Sequence, residues 1–489
     1  MALIYKHGTY GEFAETQAGV ATQSGTCAVY VGTAPVNLVR GYAEADVVNS
    51  PVYLKDWAAV QRTMGYSDDW KTFTLCEAFK AHFNNTAGNA GPIIVINVLD
   101  PAIHKKAQAT TTPLTFVNRR ATIVSDKIIL DTLALADKVE GTDYTIDYNY
   151  TTGEVIISDI GALAMTEPVN ATYSEVDTTA LDKDDIIGGV TANGVYSGLG
   201  CVGLVYPELN FIPNIIVAPG WSDIPEVFQA MITAGMKING HWDAYVIGDL
   251  TLTSTDTIEK AVAWQENNGY KNERVKTYWP MGVGTDGNIY HLSTMCAWRM
   301  LLVDAENNGI PMETPSNKPV PLSKLYFGEG STNRGFDQSR ANDLNAQGIS
   351  TAVFWGGQWV LWGGHTSAYE FGAVTDKRVI FDNNIRMMMY ITNSFQQEWA
   401  LTIDEPMTVA LAESIRAREQ EKADRLVAIG ALIGEPQVLF LEDENSTDEL
   451  AEGNFVWDFS GTPTPQFKSG TLRVAYTDAG FASYFGEEA

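Results

Sequence analysis

Basic residues are in short supply in this sequence: 32 lysines and arginines stand against 60 aspartates and glutamates, a formal net charge of −28 over 489 residues. No dense Lys/Arg block interrupts that excess, so nucleic acid and anionic membrane surfaces, both polyanions, are excluded as natural partners. Long apolar runs are missing too. None reaches the roughly 18 residues a membrane-spanning helix requires, and the opening MALIYKHGTYGEF has no basic stretch followed by an apolar core. The chain is expected to be made and kept in the cytoplasm. Cysteine is rare: Cys27, Cys76, Cys201 and Cys296 lie far apart without Cys-x-x-Cys spacing, which offers neither a zinc nor a redox motif and predicts buried free thiols. With six histidines in all, acid–base chemistry has few places to sit.

What is present is ample material for a core. Hydrophobic residues make up 45% and charged residues 19%, a globular composition, and the length exceeds the roughly 250–300 residues at which one core stops growing. TCAVYVGTA (26–34) and PIIVINVLD (92–100) read as buried strands. Between them Leu75, Phe79 and Phe83 recur at four-residue spacing on one helix face. His82, beside that face, has no second ligand at metal spacing and is expected at the margin of the core. Residues 102–190 turn to Thr, Asp and β-branched side chains, and DYTIDYNYTTGEVIIS alternates Tyr144, Ile146, Tyr148 and Tyr150 with polar residues before a Thr-Thr-Gly turn. That is a β-hairpin in an inserted β domain. The acids around Asp182–Asp185 do not fit a calcium loop and are expected to form a solvated turn.

From residue 211 strands and helices alternate. PNIIVAPG, DAYVIGDL and VKTYWPMGV read as strands, and segments beginning near Ser222 or Asp223, at DTIEKAVAWQENNG, and at IYHLSTMCAWRMLLVDAENNG read as helices, the last two stopped by Gly269 and Gly309. Strands apolar throughout and separated by helices imply a parallel sheet covered on both faces. ISTAVFWGGQWVLW then gives two strands joined by Gly-Gly. The longest helix pattern covers 408–430, with Leu411, Ile415, Leu426 and Ile429 on one side and Arg416, Arg418, Lys422 and Arg425 on the other.

Three places invite chemistry. Gly282–Gly287, GVGTDG, satisfies the dinucleotide fingerprint after a strand and before a helix, with Asp304 about twenty residues on; but Asp304 falls near a helix end rather than a strand end. Ser293 opens a helix, as a nucleophilic serine does on a subtilisin-type sheet, but only His291 and His241 are at hand and the Gly-Thr-Ser-x-Ala motif is missing. His365, after the glycine pair in QWVLWGGHT, could be a base or a structural anchor. None of the three carries a full constellation, so no catalytic, metal or cofactor residue is expected.

The order of several segments resembles the tail sheath protein family of contractile-tailed bacteriophages and related injection machines. HGTYGEF and GTCAVYVGTAP resemble that family's opening, an extended arm before a strand ending in Gly-Thr-Ala-Pro. VVNSPVYLKDWAAVQRTMGYSDDWKTFTLCEAFKAHF, GPIIVINVLDP, IIVAPGWSDIPEV, TPSNKPV and QWVLWGGHT follow in family order, with a gap over the inserted β domain. The last is usually Trp-Gly-x-Arg-Thr. Here His365 replaces the arginine, which makes the position structural and puts in question the salt bridge that arginine makes.

The resemblance implies an α/β and α+β multidomain chain: an extended arm (1–25), an N-terminal α/β part of the core (26–101), the inserted β-rich domain (102–195), a subtilisin-like, doubly wound α/β domain without a catalytic triad (196–366), and an α+β C-terminal sheath domain ending in an arm strand (367–489). It implies a structural protein without cofactor that polymerises with itself as stacked hexameric rings around a tail tube, contacts baseplate and tail terminator proteins, and contracts to drive the tube through a bacterial envelope. It would be located in a virion tail or tail-like particle, after synthesis and assembly in the host cytoplasm. Arg416, Arg418, Lys422 and Arg425 are the expected tube contacts. Leu3, Ile4, Tyr5, Tyr10 and Phe13, with Leu472, Val474 and Tyr476 at the other end, are the expected strand-exchange residues. A baseplate or other virion assembly protein is the alternative reading, and a nucleotide-dependent oxidoreductase the remote one.

Overall fold

The structure, a computed structural model, describes residues 25–162, 164–331 and 335–485. Leu3, Ile4, Tyr5, Tyr10 and Phe13 lie outside the described residues. The chain enters the core with β1 (Ala28–Gly32), passes through β2 (Pro51–Leu54), α1 (Trp57–Thr63) and α2 (Leu75–Phe83), and returns as β3 (Ile93–Asn97). Asp56 caps α1 by accepting the Ala59 N–H at 2.8 Å.

The insertion then forms β4 (Thr110–Leu114), β5 (Arg120–Val124), β6 (Ala134–Leu135), β7 (Tyr144–Asn149), β8 (Glu154–Asp159) and β9 (Val169–Tyr173). They make two three-stranded antiparallel sheets, in the orders β4-β9-β6 and β5-β8-β7. The alternation seen in the sequence works as expected: Tyr144, Tyr148, Val155 and Ile157 turn inward to a core of their own with Leu114, Leu130 and Ala171. Asn37 ties this insertion to the main body by donating to the Asp126 and Ile128 carbonyls, each at 2.9 Å.

Past the insertion come β10 (Ile215–Val217), α3 (Pro225–Ala234), β11 (Tyr245–Asp249), α4 (Ile258–Asn267), β12 (Val275–Tyr278), α5 (Leu292–Glu306), α6 (Gln338–Asn345), β13 (Ile349–Trp355) and β14 (Gln358–Trp362). One eight-stranded sheet results, in the order β14-β13-β12-β11-β10-β1-β3-β2. Its six inner strands are parallel and its two edges antiparallel. Because side chains alternate across a strand, each face acquires its own core. Ala28, Tyr30, Ile93, Val95, Ile215 and Val217 meet α2 and α5 on one side. Val29, Val31, Ile94, Ile96 and Ile216 meet α3 and α4 on the other. The C-terminal part adds α7 (Asp382–Trp399), α8 (Val409–Ala428), and an antiparallel pair, β15 (Leu432–Leu439) with β16 (Asp458–Pro463).

Four local expectations need correcting. Neither Ser222 nor Asp223 caps α3; Pro225 starts it with its ring-fixed φ, and Ser222 is buried against Asp249 instead. VKTYWPMGV is not one strand: β12 ends at Tyr278, Pro280 has no N–H to continue the ladder, and Met281–Gly284 pairs in a separate three-stranded sheet. The acids around Asp182–Asp185 form a short helix, Lys183–Ile187, rather than a turn, with Asp182 and Asp185 as its reciprocal cap and Asp182 and Asp184 exposed. Ile429 is half exposed and lies beyond α8, whose buried stripe is Ile415, Glu419, Ala423 and Leu426. The Gly-Gly hairpin behaves as read, Gly356 and Gly357 taking φ of 58° and 87°.

Candidate assembly interface

Open parallel sheets bind ligands beyond the carboxyl ends of their strands, and there β11 ends at Asp249 beside the start of α5. Ser293 spends both its donors on that carboxylate: its N–H reaches Asp249 Oδ1 at 3.0 Å and its hydroxyl donates to Oδ2. His291, which precedes α5, turns the other way. Its ring Nδ1 lies 2.7 Å from Glu77 Oε2 and its backbone N–H donates to Glu77 Oε1 at 2.7 Å. Burial disfavours charge on the imidazole, but Glu77, with Asp249 and Asp223 nearby, outweighs burial and lifts its pKa to about 9. Burial raises Asp249 to about 6, against the opposing pull of His291 and the Ser293 hydrogen bonds. A serine bonded to a carboxylate and a histidine already held by another acid make no nucleophile–base pair. His241 is exposed, its backbone N–H donating to Ile238 O at 3.0 Å, its carbonyl accepting from Gln396 and its ring lying against Trp242.

The dinucleotide fingerprint dissolves as well. Gly282–Gly284 is a strand and Thr285–Gly287 the turn of a β-hairpin whose second arm is Ile289–Tyr290. A Cβ on Gly282 would lie 2.8 Å from Leu322, and one on Gly284 2.5 Å from Asp286; these glycines admit neighbouring side chains, not a pyrophosphate. Asp304 is buried and clamps the Arg386 guanidinium of α7, also accepting from the Thr26 hydroxyl.

His365 is an anchor. Its Nδ1 donates to the Ile380 carbonyl at 2.5 Å, and its ring stacks on Tyr369 at 3.6 Å. Burial, aided by Lys468 and Lys276 and opposed by the Ile380 bond, pulls its pKa down to about 4, so it is neutral at pH 7. Its backbone carbonyl, with that of Gly363, accepts from Lys276 Nζ, whose third proton goes to Asp382 Oδ2 at 2.7 Å. His82 follows the same logic deeper inside: fully buried rather than marginal, it donates to Ala90 O, accepts from the Tyr30 hydroxyl at 2.7 Å, and is held at about 4 by burial. The Lys276–Asp382 and Arg386–Asp304 pairs were missed in the sequence. Their one signal was charge in otherwise apolar segments, VKTYW and IRMMMYI.

On the surface, the four cations of α8 are each matched within the chain. Arg416 pairs with Glu413, Arg418 with Glu398, Lys422 with Glu398 and Glu419 at 2.8 and 2.9 Å, and Arg425 with Glu421 at 2.8 Å. The sequence showed their spacing but not Glu398, which comes from α7. At the C-terminal end, Lys468 is held by the Tyr369 hydroxyl at 3.1 Å. Beyond it the chain has neither helix nor strand as far as Thr477, and from Ser469 to Tyr476 it makes no hydrogen bond among the described residues. Leu472, Val474 and Tyr476 are 86%, 85% and 83% exposed. The β15–β16 pair stands as a two-stranded sheet with both outer edges unpaired among the described strands. No described helix is long and apolar enough to cross a membrane.

No family model matches the chain. It is 26% identical over 504 aligned residues to the tail sheath protein of Burkholderia phage BcepMu, the alignment covering 98% of each protein. It is 23% identical over 392 residues to the major tail sheath protein of Serratia phage KSP20, covering 74% of this chain and 94% of that one. In fold it is similar to a chain of an extracellular contractile injection system, the PVC sheath complex in its contracted state, with a TM-score of 0.55 at 12% identity over 98% of this chain and 99% of that one. The chain is thus a homologue of tail sheath proteins and shares their mixed α/β multidomain fold, and those homologues are structural proteins rather than enzymes.

Proposed function

We propose that this tail sheath homologue is the sheath subunit of a contractile phage tail or tail-like particle, polymerising as stacked hexameric rings around a tail tube and contracting to push the tube through a bacterial envelope. The end-to-end correspondence with a phage tail sheath protein, 98% of both chains, carries this reading. The idle strand-end position agrees with it: a sheath needs no reactive centre, and the α/β body, subtilisin-like in arrangement, serves as a rigid block. Baseplate and terminator proteins would close the two ends of the array, and assembly would take place in the host cytoplasm.

A helical array needs heterologous contacts that do not close on themselves and that survive while rings turn and slide. Exchanged strands meet that need, since main-chain hydrogen bonds hold while the connecting chain bends. The C-terminal segment, with Leu472, Val474 and Tyr476 alternating and unpartnered, is one donor. The N-terminal Leu3, Ile4, Tyr5, Tyr10 and Phe13 are the other. The β15–β16 sheet is the acceptor, because two-stranded sheets are marginal alone and gain from added strands. Helix α8 faces the tube, where Arg416, Arg418, Lys422 and Arg425 exchange weak surface pairs for tube carboxylates. Negative-stain microscopy of the purified protein, alone and with its tube, tests the whole reading. Tubes or stacked rings are expected; monodisperse globular particles under all conditions would overturn it.

A further inference from the structure

In the inserted domain, the hairpin that links β4 to β5 splits between two sheets. It starts as a tight turn: Asn118 and Arg119 take φ of 51° and 63°, and Val117 and Arg120 exchange both backbone hydrogen bonds, at 2.9 and 3.0 Å. The arms then part, β4 pairing with β9 and β5 with β8 in separate sheets. Between them lies a cleft of about 570 Å³, walled by Thr112–Thr115 on one side and Arg120–Val124 on the other. The backbone of both walls is unspent. Successive residues of an antiparallel strand turn their N–H and C=O to opposite neighbours. Arg120 turns to Val117, while the Arg119 carbonyl accepts from Asp159 of β8, so Ala121 and Ile123 serve β8, and Thr122 and Val124 face the cleft. By the same count Thr111, Pro113 and, just past β4, Thr115 face it from the other side. Pro113, which has no N–H, thus stands where β9 needs none.

We infer that this cleft is a docking site for an extended, acidic segment of another protein, which enters as a shared strand and joins the two small sheets. Two unpaired edges facing each other are both satisfied by one strand between them. At about 3.3 Å rise, 4.8 Å strand spacing and 10 Å sheet thickness, the cleft holds roughly three to four residues of such a strand. Charge selects the occupant. From Pro101 to Ser125 the sequence has no Asp or Glu but carries Lys105, Lys106, Arg119 and Arg120, in a chain of net charge −28. Lys106 is paired with Glu175 and Arg119 with Asp159, whereas Arg120, exposed on the cleft wall, has no ion pair or side-chain hydrogen bond among the described residues. Pro113, Val117 and Val124 are exposed around it, the valines at 66% and 75%, so the fitting strand combines small apolar side chains with a carboxylate. A second copy matches poorly, because its unpaired stretch Ser469–Tyr476 carries Arg473 and no acid. A proline and a charge on an edge also keep unsuited strands out, yet Thr111, Thr115, Thr122 and Val124 still offer their N–H groups. Nothing in this site depends on the sheath reading, since the insertion has a core of its own.

Two model peptides test it. Acetyl-TVTETVT and acetyl-TVTKTVT, each with a C-terminal fluorescein, are titrated with the dispersed full chain and followed by fluorescence anisotropy. Saturable binding is expected, tighter for the Glu peptide by about two- to fivefold at low salt, the worth of one exposed ion pair. Arg120→Glu should reverse that order. Thr122→Pro removes a cleft-facing N–H without touching the β5–β8 ladder, and should weaken both peptides while thermal melting stays near wild type. If that variant melts early, Thr115→Pro, outside the strands, gives the same readout. Absence of saturable binding, equal affinity for the two peptides, or binding that the proline variants leave unchanged would each overturn the assignment. So would self-association of the chain in sedimentation velocity that Thr122→Pro abolishes, since it would make the occupant a second copy.

Discussion

Lys276 and Asp382 form an ion pair 2.7 Å apart with neither side chain reaching solvent. Lys276 rises from β12 of the sheet and Asp382 opens α7, so this contact clamps the C-terminal helix to the α/β body. Thr314 adds a hydrogen bond to the same carboxylate oxygen at 2.9 Å, and all three ammonium protons are engaged. One turn further along the same helix Arg386 meets Asp304 of α5. Both buried pairs lie in the first two turns of α7, so they pin this end of the helix, to the sheet through Lys276 and to α5 through Asp304.

Removing one partner should therefore be costly. Lys276→Met leaves Asp382 buried without its counter-charge, and a loss of about 3–5 kcal/mol is expected, read as a lowered urea midpoint of the dispersed protein. The double variant Lys276→Met, Asp382→Leu should recover much of that loss. Equal damage in both would show that packing, not the unpaired charge, dominates here.

The His291–Glu77 pair predicts a pH dependence with a definite sign. An imidazole whose pKa rises from 6.5 to about 9 on folding binds its proton more tightly in the native state. Its contribution is thus complete below pH 6.5 and disappears as pH rises towards 9. Glu77→Gln should remove most of it. The stability difference between wild type and variant, measured by denaturant midpoint at several pH values, should be largest near pH 6 and shrink by pH 9; a difference independent of pH would contradict the pairing.

Helix α8 can be tested without disturbing its fold. Lys422 sits between Glu398 and Glu419 and is best left intact, whereas Arg416, Arg418 and Arg425 have more open side chains. Changing these three to Gln should leave the melting temperature nearly unchanged but lower co-sedimentation with tube severalfold at low salt. The effect should fade as salt screens the wild-type attraction. Equal co-sedimentation at every salt concentration would remove this helix from the tube contact.

Much of the fold was legible because it is written in local pattern. Strands apolar on both faces, as in AVYVG and IIVIN, belong inside a covered parallel sheet, and Gly356–Gly357 permits a turn few other pairs allow. What escaped was non-local. Glu77 and His291 are 214 residues apart, and Lys276 and Asp382 are 106; no period or spacing brings them together. Arg416, Lys422 and Arg425 have acids three or four residues away in α8 itself, but the Glu398 that holds Arg418 and shares Lys422 lies on another helix. The two decoys failed for a related reason: GVGTDG and the serine at the start of a helix have the right local order, but the groups that would complete them point elsewhere in three dimensions.

The most decisive variants concern the two ends of the chain. Leu472, Val474 and Tyr476 bury almost nothing within the subunit, so deleting residues 469–489 should leave the monomer's melting temperature essentially unchanged. Deleting residues 2–18 should likewise spare the core, since β1, the first buried strand, begins at Ala28. If both ends donate strands, either deletion should abolish long tubes, because every subunit would lose an intermolecular ladder and leave an acceptor edge bare. Folding and assembly are thus read separately, by thermal melting and by microscopy of the same preparations. Ordered tubes from a truncated protein of normal stability would refute exchange at that end. Folded monomers or isolated rings from both truncations would establish that the links along the array run through the chain termini rather than through the rigid α/β blocks.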